Sequence, residues 1–430
     1  MVKKLTVIVL ALILGMGSIL SFTSRVSALE AGKIWLNDND TITYATINDA
    51  VAAGNTGDTI RISGLFDTTN AAFRDAVVNN GMTLEVASDT SILNDDDNQS
   101  GITIASGLHI KTVDGSALYM QGFKKALDLQ TGAEMNDGNY VFKDNQHVTL
   151  DGNVKGTSRE SLVVDITAYK FNKLHTEDLK LENATLKLTT STIKTWDSPP
   201  ADGGDLPYRE VLNGYTWNFK NVLFVGTGLA AIELSNMLID NSDVSIDFLN
   251  KYAMGQDTSF ALDGYGTDIP SEIRNSTFKL SNTLHGIIMV HGTLNIDNSK
   301  IDLNIFGDEY SSRNNGSGGI LFDSEGNISI KNSELNFTRN DLYQTPVLIY
   351  GYLPSFTIGE NTVINTPANS DKSDETRYAM DNIVAVEAGP TGYVVTGGSF
   401  LVKYHTDNDI DNRTTPTNGL ANGNEKLTYF

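Results

Sequence analysis

Three features of this 430-residue sequence point to an all-β chain wound as a parallel β-helix: a recurring phrase, apolar residues two apart within it, and Gly, Asn, Asp and Ser interrupting every ten or so residues. Residues 294–305 read LNIDNSKIDLNI and residues 328–337 read ISIKNSELNF, with each feature displaced by 34 places. The pattern returns in LKLENATLKL (179–188), MLIDNSDVSI (237–246) and SEIRNSTFKL (271–280). Helical repeats also occur near this period, so spacing alone decides nothing. The alternation decides for strands, because turn residues this frequent would break any stack of amphipathic helices.

Each phrase is two short strands and a polar corner. Leu294 and Ile296 belong to one strand, Ile301, Leu303 and Ile305 to the next, and Asn298 and Ser299 sit between them. A third apolar run precedes most phrases: AAIELS (230–235), GIIMVHG (286–292), GGILFD (318–323) and PVLIYG (346–351). Three strands per coil are therefore expected. NIVAVEAG (382–389) starts another turn, and FTIGENTVIN (356–365) is a degenerate phrase with an extra residue before Asn361.

The corner explains the repetition. Coils stack at about the strand spacing of ~4.8 Å, which would put Asn183, Asn241, Asn275, Asn298 and Asn332 in one column. Asn tolerates the left-handed backbone of a sharp bend, and its amide both donates to and accepts from the amides above and below. These five asparagines are read as a structural ladder. Replacing Asn298 by Ala is expected to cost roughly 1–3 kcal/mol, far more than replacing Asn314 in a loop.

With Asn at the corner between second and third strands, the chain resembles the pectate-lyase-like parallel β-helices and their asparagine ladder. YATINDAVAAGNTGDTIRISG (44–64) resembles the start of that fold, a capping helix followed by Gly57, Asp58 and a first strand, and AAFRDAVVNNGMTLEVAS (71–88) parallels it. Such openings are similar to those of adhesive domains in Gram-positive secreted and surface proteins. The resemblance implies a right-handed helix of three strands per coil with a short N-terminal capping helix. The expected organisation is a signal peptide at 1–28, a cap at 29–58, the β-helix at 59–405, and a tail or the start of a further module at 406–430.

The first segment carries Lys3 and Lys4, an apolar run from Leu5 to about Leu20, and Val26, Ser27 and Ala28 as a small-residue cleavage site. That is the pattern of a secretory signal, and the run is short for a membrane span. No transmembrane helix is expected after cleavage, and the location is extracellular or cell-wall-associated. Removing Lys3, Lys4 and Arg25 leaves 28 of 31 basic residues against 53 acidic ones, a net charge of −25. Nucleic acid is excluded as a partner on that balance. There is no cysteine, so disulfides, thiolate metal sites and a cysteine nucleophile are absent. A monomer is expected.

Extra length is inserted between the third strand of one coil and the first of the next: 249–259, 306–319, 338–346 and 366–382. Insertions on one corner of a solenoid commonly build its binding surface. The longest interruption, WDSPPADGGDLPYREVLNGYTW (196–217), follows a strand reading STIKTW. Tyr252, Asp308, Tyr310, Arg313, Asn314, Asn315, Asp341, Tyr343, Arg377 and Tyr378 supply aromatic faces beside carboxylate, amide and guanidinium groups, a mixture that suits sugars. Tyr310, Arg313 and Tyr343 are expected on one side of the solenoid. Their ligand would be a glycan or a host or cell-surface protein; at this charge, neutral glycans and proteins suit better than anionic polymers, which would need bridging calcium.

Catalytic signals are weak. LHG and VHG around His285 and His291 lack the flanking Gly-His-Gly and Arg-Ile-Lys pattern of galacturonidases on the resembled fold, and no H-E-x-x-H, G-x-S-x-G or phosphate loop occurs. Asp95, Asp96 and Asp97 offer oxygen ligands for calcium, but adjacent residues of an extended segment point apart, which favours a solvated turn. No cofactor is expected. A non-catalytic adhesin or glycan-binding β-helix is the leading reading, beside a polysaccharide lyase or glycoside hydrolase and a purely structural stalk. The final stretch shows neither an L-P-x-T-G motif nor an apolar tail, which leaves open release from the cell or continuation in a longer chain.

Overall fold

The computed structural model describes residues 29–68, 71–96, 98–113 and 115–168, and beyond them 174–175, 178–190, 212–213, 216–229, 232–248, 260–262, 269–283, 286–289, 292–305, 318–322, 326–339, 347–353, 355–358, 362–365, 387–388, 401–402 and 428–429. The signal segment 1–28 lies outside them.

Period-2 alternation becomes strand throughout. Thr59–Phe66 (TIRISGLF) buries every second side chain, and Thr216–Leu229 (TWNFKNVLFVGTGL) does so over most of its length. Pairing between strands is overwhelmingly parallel, in a 22-stranded and a 12-stranded sheet. The larger sheet contains two runs of rungs. In one, Ile60, Leu84, Ile110, Met135, Val154 and Leu181 are successive register partners, all buried. In the other, Leu118, Tyr140, Val164, Leu186 and Phe224 follow one another, again buried. The repeat seen in the sequence is this pairing: Leu294 faces Ile328 and Ile301 faces Leu335. The result is all-β with long parallel sheets around one apolar interior, an arrangement compatible with a β-helix.

Among the described residues, aromatic packing is concentrated on strands Thr216–Leu229, Phe260–Leu262 and Thr277–Thr283. The Trp217 and Phe219 rings stack at 4.8 Å, Phe260 meets Trp217 edge-on at 5.5 Å, and Phe278 meets Phe260 edge-on at 5.2 Å. Each such pair adds about 0.5–1.5 kcal/mol to the area it buries.

The N-terminal end is closed differently. Lys33–Leu36 and Asn39–Thr43 form an antiparallel hairpin, turned at Asn37 (φ 54°). The first of these strands pairs antiparallel with Thr59–Phe66. This end of the sheet is thereby occupied by a short, polar hairpin, one of the ways proteins blunt a strand edge. Helix α1 (Ile47–Ala53) follows, as the resemblance implied. Thr46 caps it reciprocally: the Asp49 amide donates to Thr46 Oγ1 at 3.0 Å and the Thr46 amide to Asp49 Oδ2 at 3.1 Å. The parallel stretch 71–88 makes no second helix. Ala76 and Val78 are buried with Val77 exposed between them, a two-residue period that builds a strand in the smaller sheet.

The corner holds a refinement. Asn183, Asn241, Asn275, Asn298 and Asn332 all have φ between 47° and 51°, and Asn221, absent from the expected set, joins them at 55°. Asn221 Nδ2 donates to Asn183 Oδ1 (2.8 Å), Asn241 to Asn221 (3.4 Å) and Asn298 to Asn275 (2.9 Å). Asn275 and Asn332 instead donate to the carboxylates of Asp240 (3.0 Å) and Asp297 (3.1 Å), so the amide relay is broken twice. From Asn241 onward these asparagines are exposed. The buried column is the next residue: Ser242, Ser276, Ser299 and Ser333 are 1–6% exposed. Each of these hydroxyls accepts a backbone N–H from the preceding rung, from Val222 (3.0 Å), Ser242 (3.0 Å), Ser276 (3.2 Å) and Ser299 (3.1 Å) respectively. Each also lies within donating distance of the carbonyl two residues back.

Ser299→Ala should therefore destabilise the fold by about 1–3 kcal/mol, because it strands the buried Ser276 N–H. Asn298→Gly should cost less than Asn298→Ala, since glycine takes the left-handed turn without the roughly 1–2 kcal/mol steric penalty. Urea midpoints check both; a Ser299→Ala midpoint equal to the parent's would remove the serine column from this role.

Candidate functional site

Three outward faces compete for function, and the charges decide among them. On the first run of the larger sheet, one outward column alternates in sign. Glu85 lies 2.7 Å from Arg61 and 2.9 Å from Lys111, and Glu182 lies 3.2 Å from Lys155 and 3.3 Å from Lys220. Arg274–Asp240 (3.6 Å) and Lys331–Asp297 (3.2 Å) continue it. Glu85 is buried; the more exposed pairs of Glu182, Asp240 and Asp297 contribute little each, about 0–1 kcal/mol. Their consequence is that this face carries opposite charges already satisfied by one another.

On the second run, Asp165 pairs in register with Val141 on one side and Lys187 on the other. Burial pushes the Asp165 carboxyl above the usual range, with Lys187 acting against the shift. Tyr119 is pushed up to about 12 by burial, with the Asp144 carboxylate adding to it. At the corner, burial acts to raise Asp137, but hydrogen bonds from Ser161 and Thr157 outweigh it and hold the carboxyl low. The Lys155 and Lys220 ammonium groups hold Glu182 low.

The smaller sheet carries the third face. Thr103, Asp128, Thr149, His175, Asn213 and Glu233 are successive register partners at one position of the rung. Asp128 lies between buried Leu127 and Leu129 and is itself partly exposed, so it faces outward, whereas Thr149 is buried at 5% exposure; the side chains of His175, Asn213 and Glu233 lie outside the described ones. Lys125 pairs with Asp128 at 3.2 Å and is the register partner of His147. From Ala261 the same position turns apolar, through Ile288, Leu321 and Tyr350. The row is thus confined to rungs between residues 103 and 233. Sequence reasoning missed it by reading the first strands AAIELS, GIIMVHG, GGILFD and PVLIYG as apolar runs, three of which have apolar centres. The available signal was the polar centre of L-D-L (127–129), V-T-L (148–150) and I-E-L (232–234).

The insertions adjoin strands of this sheet in the chain. Asp243–Phe248, Lys300–Ile305 and Glu334–Arg339 precede three of them, and Phe260–Leu262, Gly318–Phe322 and Val347–Leu353, successive strands of the smaller sheet apart from Ile287–Met289, follow them. The loop residues Tyr252, Asp308, Tyr310, Arg313, Asn314, Asn315, Asp341, Tyr343, Arg377 and Tyr378 lie outside the described residues, as do Asp97, His285, His291 and Asn361.

Chemistry on the row is bounded by its spacing. Asp128 and Glu233 are four rungs apart, about 19 Å at the strand spacing, whereas glycoside hydrolysis needs its two carboxyls about 5–9.5 Å apart. That pair is too far separated to act together. As for cations, Asp96 accepts from the Asn98 amide (3.1 Å), Asn98 Nδ2 (3.3 Å) and Gln99 Nε2 (3.2 Å), and these bonds hold its carboxyl low, the pattern of a closed turn. Among the described residues, no group of three or more His, Asp or Glu could hold a metal ion, and no helix is long and apolar enough to cross a membrane.

The pH dependence has two signs. Asp137, Glu182 and Asp297 have lowered folded-state values, so their stabilisation is complete above the ordinary carboxylate range and is lost as pH falls through those lowered values. Asp165 is raised: its ionised form costs stability at neutral pH, and the cost disappears once pH falls below its ordinary 3.8. Asp165→Asn should raise the melting temperature at pH 7 and leave it unchanged at pH 3. A loss of stability at pH 7 would show that the carboxylate is favourably paired.

No protein-family model matches this chain, and neither does any curated protein or solved structure. No relative therefore identifies it as a pectate-lyase-like adhesive domain.

Proposed function

We propose that this protein is an extracellular, non-catalytic glycan-binding or adhesive β-helix, right-handed with three strands per coil, of the pectate-lyase-like kind. Three parallel runs of rungs visited in a fixed order support the coil, and the strong right-handed preference of parallel crossovers supports its hand. The signal pattern at 1–28 supports export, to the medium or the cell wall.

One observation carries the ligand class: the row Asp128, Thr149, His175, Asn213 and Glu233, one residue per rung along the smaller sheet. By residue type it offers two carboxylates, an amide and an imidazole on rungs about 4.8 Å apart, with Thr149 buried on the rung between Asp128 and His175. A linear polymer rich in hydroxyl groups matches a linear row of such groups. The negative charge of the chain disfavours polyanions, so the ligand is a neutral polysaccharide. The insertions precede strands of this sheet in the chain, and tyrosines in them would supply apolar contacts.

The test is a panel of neutral and uronate-containing polysaccharides, with affinity and release of reducing ends or unsaturated uronate measured together. Binding to neutral polymers without cleavage is expected. Asn213→Ala should weaken it about 10-fold, roughly 1–2 kcal/mol if the contact is central. New reducing ends, or unsaturated uronate, would make the protein a hydrolase or lyase instead. A protein that binds no glycan and no cell surface would be a stalk.

A further inference from the structure

The proposed row crosses a joint at which the smaller sheet has little pairing of its own, whereas the larger sheet pairs Asp178–Thr190 with Thr216–Leu229 through eleven register partners. Strands Leu174–His175 and Leu212–Asn213 are only two residues long each, and the long interruption read at 196–217 begins between them, its last part being strand at Leu212–Asn213 and from Thr216. His175 lies ahead of it, Asn213 in its last part and Glu233 beyond it. Two rungs so short hold register poorly by themselves, because a slip of one residue costs few hydrogen bonds.

Across the larger sheet, a side chain spans the same joint. Loop 156–161 is fastened at the corner by Asp137, whose carboxylate accepts from the Thr157 amide (2.7 Å), Thr157 Oγ1 (2.8 Å) and Ser161 Oγ (2.7 Å). From this loop, Arg159 accepts Thr185 Oγ1 on its carbonyl at 2.8 Å, on the rung before the interruption. Its guanidinium passes beyond that rung. Nε donates to Asn221 Oδ1 (2.9 Å), one terminal nitrogen to Asp243 Oδ2 (2.6 Å), and the other to the Asn241 carbonyl. Asn221 lies on the first rung after the interruption and Asn241 and Asp243 on the second. A planar guanidinium with three partners in fixed directions specifies position as well as attraction, which a lysine ammonium does not.

We infer that Arg159 is a positioning residue that reinforces, beside the ladder between Asp178–Thr190 and Thr216–Leu229, the register of the rungs before and after the long interruption, and with it the spacing of His175 from Asn213 and Glu233. Its consequence for binding rests on the glycan reading above; the register lock does not.

Amide hydrogen exchange on the full mature chain tests the lock without any ligand. In Arg159→Ala, strands 216–229 and 236–248 should exchange at least about 10-fold faster, while 83–150 stay at the parent's rates. Arg159→Lys should restore only part of the protection, since it keeps the charge near Asp243 but loses the fork. Parent-like exchange in Arg159→Ala would overturn the inference, as would full restoration by lysine, which would reduce the contact to simple charge pairing. If Arg159→Ala were too unstable to isolate, the Arg159→Lys comparison alone would decide. Affinity for the neutral polysaccharide is then measured on the same variants. Faster exchange with unchanged affinity leaves the lock standing and removes the row from the binding site.

Discussion

A corner must satisfy backbone groups that the strand ladders cannot reach, and over the rungs from Val222 to Ser333 a buried serine column does so. At Val222, Ser242, Ser276 and Ser299 the bend carries a buried N–H past the end of one rung and onto the hydroxyl of the next. A buried donor without a partner costs about 1–3 kcal/mol, and the bend recurs on each rung. The hydroxyl is small enough to sit inside the turn and can accept from one rung while donating to the carbonyl two residues behind it. The exposed asparagine beside it has a different task, which is to take the left-handed backbone that allows the turn at all.

Once the corners hold, electrostatics divides the faces. Parallel rungs put like positions side by side at about 4.8 Å, so equal charges in one column would repel along its whole length. The column through Arg61, Glu85 and Lys111 avoids this by alternating, as do Lys155, Glu182 and Lys220 further on. A face whose charges are mutually satisfied has little left for a ligand. The smaller sheet differs: Thr149, His175, Asn213 and Glu233 do not form a sequence of opposite charges, and the insertions precede strands of that sheet in the chain.

Much of the fold was legible in the sequence because its signals are local. Alternation in LNIDNSKIDLNI announces strands, Asn298 announces a left-handed corner, and Thr46 with Asp49 announces a helix start. Asn221 was missed because its segment, WNFKNVLFV, lacks the Asn-Ser or Asn-Ala pair of the other corners. The serine column was hidden for another reason, since a serine after an asparagine reads as ordinary turn chemistry until its burial is known. The row on the smaller sheet was hidden most completely. Asp128, Thr149, His175, Asn213 and Glu233 each sit in separate short strands, and each alone is a normal polar residue of an alternating strand.

By itself the sequence determined that the chain would be built of short parallel strands turning at Asn corners, because strand period and left-handed backbone are properties of a few neighbouring residues. Only the tertiary structure decided which residues would be neighbours across rungs. Hydrogen-bonded corner asparagines are separated by 38, 20 and 23 residues. With repeats of such uneven length, position along the chain does not predict position along the axis. Register does, and register is set by the packing of inward side chains and the closing of hydrogen bonds between strands far apart in sequence.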